Sequence, residues 1–134
     1  MTAPIIDNVK KQTPSDFFTV VLLDNGVVHV RIKGPEEIDI EKAKQMIVGI
    51  GEACGGIKRP VLVSAEAFSA PTAEARAFLA KKESNPHASA AAYIASSLAE
   101  KIVMNTFLKF NKPARPTKMF TSEAKAIEWL KTFL

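Results

Sequence analysis

The chain predicts an α/β fold built on a mainly parallel sheet of about five strands, and three observations carry that reading. Two β-rich runs flank an Asn25-Gly26 turn; short apolar strands then alternate with capped, helix-periodic segments; and a loop, a short strand and a capped helix close the order. A chain of 134 residues with 47% apolar content suffices for one core, so 16–134 reads as a single domain and 1–15, with two prolines and several polar residues, as a flexible leader.

The runs Phe17 to Leu23 and Val27 to Lys33 form the predicted antiparallel hairpin, because Asn-Gly supplies the positive φ of a tight turn. Val28, Val30 and Ile32 share one face and leave His29, Arg31 and Lys33 on the other, so His29 is expected among charges, exposed or partly covered. Gly34-Pro35 breaks the strand. Asp39 then caps a helix over 40–54 with apolar positions Ile40, Ala43, Ile47, Ile50 and Cys54, and Gly55-Gly56 stops it.

Pro60 to Ala65 is an apolar run between helices, which fits a buried parallel strand. Thr72 caps a second helix through Lys82, with Ala75, Phe78 and Leu79 as its inner side. Ala88 to Ala95 has helix-forming alanines, but its place between Asn85-Pro86 and the capping pair Ser96-Ser97 makes it a strand. From Leu98 to Phe110 the stripe Leu98, Ile102, Val103, Phe107 and Phe110 predicts a helix lying on the sheet. Pro116 to Phe120 is the last strand, and Thr121 or Ser122 caps a terminal helix carrying Ile127, Leu130 and Leu134 on one side.

Composition narrows the function classes. The net charge of +4 is modest and the lysines are dispersed; the densest basic stretch, Lys101, Lys109, Lys112, Arg115 and Lys118, lacks interleaved surface aromatics, so it reads as a solvated face and no nucleic-acid partner is expected. The single Cys54 excludes an intrachain disulfide and reads as a buried thiol in a reducing compartment. No secretory signal and no membrane-length apolar run is present, which places the expectation in the cytoplasm without an integral membrane segment. Two isolated histidines and one cysteine supply no metal cluster, and no cofactor is expected.

The order hairpin, helix, strand, helix, strand, helix, strand, helix, with the ending Phe120-Thr121-Ser122-Glu123 and Trp129-Leu130, resembles the SpoIIAA-like group, which holds STAS domains and Sec14-like relatives. The likeness is strongest to small bacterial proteins of that group and covers roughly 17–134. It implies a regulatory or protein-interaction role, or binding of a small apolar or amphipathic ligand. The Asp-Ser-Ser-Gly phosphorylation motif of STAS-type antagonists is missing; in its place stands Ser64-Ala65-Glu66-Ala67-Phe68-Ser69-Ala70-Pro71-Thr72, where Ser69 and Thr72 are the candidate phosphorylation sites.

Open α/β sheets bind ligands beyond the carboxyl ends of their strands, which directs attention to Ser64, Glu66, Ser69, Thr72, Arg76, Ser96 and Ser97. Capping competes for Thr72 and Ser97. A serine nucleophile needs an oriented base, and neither His29, in mid-strand, nor His87 is expected to be placed for one, so a non-enzymatic module is the first reading. Its partner would be an unknown protein meeting the stretch 64–76. The alternative is a binding protein with a pocket lined by Phe68, Phe78, Phe107 and Phe110. Trp129 and Phe133, four apart on the last helix, read as core, with a homodimer contact as the alternative.

Overall fold

A strand absent from the sequence expectation opens the sheet. β1 (Val9–Pro14) pairs antiparallel with β2 (Phe18–Leu23), which pairs antiparallel with β3 (Val28–Ile32) across the Asn25-Gly26 turn. Gly26 takes the positive φ of 93° that this turn demands, and Asn25 Oδ1 accepts a hydrogen bond from Val27 N at 3.0 Å. The structure is a computed structural model that describes residues 9–14, 16–67 and 69–134. Residues 9–14 of the expected leader thus belong to the sheet, while 1–8 and 15 lie outside the described residues.

The remaining elements follow their local signals. α1 (Ile40–Cys54) begins where Asp39 Oδ1 accepts from Lys42 N at 2.9 Å and ends at Gly55 in the left-handed region, φ 62°. β4 (Arg59–Ala65) leads to α2 (Ala73–Ala80), capped by Thr72, whose hydroxyl accepts from Ala75 N at 3.1 Å. β5 (Ala88–Ile94), α3 (Leu98–Asn111), β6 (Thr117–Phe120) and α4 (Glu123–Leu130) complete the order, with Ser97 capping α3 and Ser122 capping α4. α2 stops two residues before the predicted Lys82 because Lys81 is extended; a single 3₁₀ turn, Lys82–Ser84, follows it.

The six strands lie in sequence order, with β3 to β6 parallel. Each crossover therefore steps one strand in the same direction. A right-handed crossover repeated this way places every intervening helix on the same face. α1, α2 and α3 share that face, over a core of Phe18, Val20, Val30, Val61 and Val63 joined by Ala43, Met46 and Ile50 of α1. Gly49 lets α1 approach closely, since a Cβ there would meet Val20 Cγ2 at 3.1 Å and Phe18 Cε2 at 3.3 Å. α4 follows the last strand and covers the other face, where Ala126 and Leu130 bury against Leu62, Ala90 and Ala92. Trp129 is partly buried against this second core, with ring centroids 5.7 Å from Phe120 and 4.9 Å from Phe133.

α3 departs from expectation. Of the predicted inward stripe, Leu98, Ile102, Val103 and Phe110 are exposed, Phe110 at 83%, and no residue of the helix is fully buried. The helix is turned so that Met104, Phe107, Leu108 and Asn111 face inward, a second set at the spacing i, i+3, i+4, i+7. It sits over the sheet edge at the short strand β6, and its inner residues border a cavity.

Few buried contacts make local opening inexpensive. Hydrogen exchange followed by mass spectrometry is expected to find the amides of α3 exchanging at least roughly tenfold faster than those in the middle of α1.

Candidate functional site

The void beneath α3 is an apolar cavity of about 130 Å³. Its floor is the sheet face at Val61, Val63, Tyr93 and Met119; its walls are α2, through Arg76 and Leu79, and α3, through Met104, Phe107 and Leu108. A group that filled this space would gain dispersion contacts with its apolar lining.

Ser64, Ser69 and Arg76 border the cavity, whereas Glu66, Thr72, Ser96 and Ser97 do not. Ser69 Oγ accepts from Glu36 N and donates to Ala67 O, both at 3.1 Å, which ties the loop after β4 to the one after β3. Gly34 makes this possible, because a Cβ there would overlap the Ser69 hydroxyl. Glu66 is exposed, and its backbone N–H donates to Ile32 O. Ser96 donates to Glu100 Oε2 at 2.7 Å, and Ser97 accepts from Glu100 N at 3.1 Å, so the pair organises the start of α3. Of the four phenylalanines expected to line a pocket, Phe107 does; Phe78 packs against the core beside it, Phe110 points to solvent, and Phe68 lies outside the described residues.

Two wall residues escaped the sequence reading. Arg115, expected to be solvated, is partly buried and donates through Nη1 to Leu79 O and through Nη2 to Lys81 O, both at 2.9 Å. These carbonyls end α2, where a cation is favoured by the helix dipole. Tyr93 is the one large polar ring in an alanine-rich strand, and that contrast was the signal available. Its hydroxyl has no hydrogen-bond partner among the described residues, and burial pushes its pKa up, opposed by the charge of Arg115. Burial likewise lowers the Arg115 pKa from its ordinary value.

His29 is the clearest correction. It is 5% exposed rather than set among solvated charges, and its Nε2 lies 2.8 Å from Ser64 Oγ. β3 and β4 are parallel neighbours, with Arg31 level with Ser64, so the imidazole reaches the hydroxyl diagonally across the pair. Alternation places His29 with Leu62, on the α4 side of the sheet. A serine and a histidine are therefore within hydrogen-bond reach, but Nδ1 has no hydrogen-bond partner among the described residues to orient the ring. Burial, aided by Arg31, lowers the His29 pKa from 6.5 to about 4. Cys54 is buried as expected, with its thiol pKa raised by burial. Among the described residues no three His, Cys, Asp or Glu side chains gather as metal ligands, and no helix is long and apolar enough to cross a membrane.

The low His29 pKa makes stability depend on pH. Between about 4 and 6.5 the unfolded chain takes up the proton and the folded one does not. The stabilisation is therefore complete above 6.5 and lost as pH falls toward 4, an effect of roughly 3 kcal/mol. Urea unfolding at pH 7 and pH 4.5 is expected to register most of that loss in the wild type and a much flatter dependence in His29→Gln.

Comparison with known proteins follows the architecture. None of the curated proteins matches the chain. A crystal structure of an uncharacterized protein of the DUF3478 family with a SpoIIAA-like fold, from Shewanella loihica PV-4, superposes with a TM-score of 0.52 at 16% identity, covering 90% of each chain. A protein with unknown function from Arthrobacter sp. FB24 is 30% identical over 83% of this chain and 90% of its own, with a TM-score of 0.30. The fold is thus SpoIIAA-like α/β. Residues 21–134 match the family described as Domain of unknown function (DUF7793), and the chain belongs to that family.

Proposed function

We propose that the protein is a non-enzymatic binding protein for a small apolar or amphipathic ligand, held between the sheet and helices α2 and α3. The observation that carries the reading is the 130 Å³ cavity, floored by Val61, Val63 and Met119 and roofed by a helix with no fully buried residue. Engineered apolar cavities of about this size stay dry and take up benzene-sized molecules. The roof is the element least anchored by packing, which supplies an entry route without disturbing the core under α1.

A second reading, a regulatory protein-interaction module, is favoured by the outward apolar face of α3, where Leu98, Ile102 and Phe110 are 67%, 60% and 83% exposed. That face suits a protein partner better than the 64–76 stretch. There the hydroxyls of Ser69 and Thr72 are already hydrogen-bonded, and a phosphate on Ser69 would have to displace the loop against Gly34. A cytoplasmic setting fits both readings.

Ala91 lies on the cavity floor, so Ala91→Ile is expected to fill part of the space. The variant should melt roughly 2–5 °C higher than the wild type. Toluene should raise the melting temperature of the wild type and leave that of Ala91→Ile unchanged; equal responses, or none, would remove the cavity reading. For the second reading, sedimentation across a concentration series is expected to detect self-association that Ile102→Glu with Phe110→Glu abolishes, and a wild type that stays monomeric throughout counts against a homodimer.

A further inference from the structure

The cavity wall is mainly apolar, and two guanidinium groups meet it. Arg76 extends from α2, donating through Nη1 to Pro71 O at 3.0 Å and through Nε to Asn111 Oδ1 at 3.3 Å. Its guanidinium carbon lies 4.0 Å from the centroid of the Phe107 ring. Arg115 comes from the loop before β6 and holds the carbonyls of Leu79 and Lys81. Arg76 reaches back to the carbonyl that precedes α2, whereas Arg115 holds the carbonyls at its end, so the two cations flank the helix rather than share one acceptor.

Every acceptor these two arginines use is a neutral oxygen. Among the described residues neither forms an ion pair; the carboxylates that do pair are Glu36 with Lys42 and Glu41 with Lys44. The wall contains one carboxylate, Glu100, and both of its oxygens are occupied by Ser96, Oε1 by the backbone N–H and Oε2 by the hydroxyl. Arg76 Nη2 and Arg115 Nε are left without a hydrogen-bond partner among the described residues, and so is the Tyr93 hydroxyl on the same wall. A guanidinium tied only to neutral oxygens beside an apolar space keeps an uncompensated charge, and an anion supplies the counter-charge through charge-assisted hydrogen bonds.

Resting on the cavity reading above, we infer that the ligand is an amphipathic anion: an apolar body of about benzene size in the cavity, and a carboxylate head on Arg76. Arg115 is committed to the carbonyls that end α2, so Arg76 is the residue that discriminates by charge. The Arg76 stack on Phe107 couples head to body, since the ring that flattens the guanidinium also walls the cavity.

The test compares three probes of one size: toluene, benzamide and benzoate, titrated into the whole chain by nitrogen–proton NMR at low salt. Benzoate is expected to bind roughly tenfold tighter than benzamide, the discrimination typical of hydrogen bonds to a charged group. Added salt should erode that ratio. Arg76→Gln is expected to bring the ratio to about one, and Arg76→Lys to keep part of it. If toluene binds and benzoate has no advantage over benzamide in the wild type, the anion inference is overturned and the cavity reading stands. If none of the three binds, both fall together. The wild-type ratio and its salt dependence decide the matter even if Arg76→Gln fails to fold.

Discussion

The structure depends on one topological constraint: each parallel crossover moves a single strand in the same direction, and each must be right-handed. Three helices are thereby crowded onto one face, and the opposite face is left for α4. α1 lies over β1, β2 and β3 and buries Ala43, Met46 and Ile50. α3, the last of the three, is carried to the edge above a strand of four residues, where there is not enough sheet beneath it to pack against. The cavity and the exposed flank of α3 share this origin, because a helix displaced toward an edge gains solvent on its outside and loses neighbours on its inside.

Most of the fold was legible because its signals are local. Asp39, Thr72, Ser97 and Ser122 each accept the backbone hydrogen bond that starts a helix, and Gly55 ends one in the left-handed region. The alanine-rich strand 88–94 was readable from its flanking breaks even though its residues prefer helix; in the sheet its small side chains Ala90 and Ala92 let α4 pack close. β1 was not legible. Its residues Lys10, Lys11 and Gln12 lack the alternation of a half-buried strand, and pairing with β2 is a tertiary event.

The site was less legible than the fold, for physical reasons. α3 has apolar residues at two sets of helical spacing, and periodicity alone cannot say which set turns inward; the more hydrophobic one, Leu98, Ile102 and Phe110, turns out. His29 sits between hydrophobic neighbours on a strand, and its burial depends on Ser64, thirty-five positions away, offering a hydroxyl at 2.8 Å. Arg115 lies between two prolines in a segment that reads as a surface loop; only the return of that loop to the carbonyl end of α2, also marked by Ala114 N donating to Ala80 O at 2.8 Å, brings its charge inward. In each case the deciding partner is remote in sequence, whereas caps and turns find theirs within four residues.

Among the described residues the sheet ends at β1 on one side and at β6 on the other. β6 is four residues long, follows Pro116 directly and carries exposed Lys118 in its middle, where the ammonium lies over the rings of Phe120 and Trp129. Shortness, a nearby proline and a lysine are the means by which sheet proteins discourage strand addition. With that border blunted, two copies meeting at this end of the molecule would meet helix to helix rather than strand to strand, so an assembly made there would be a closed pair held by side chains, not a sheet that grows through its backbone.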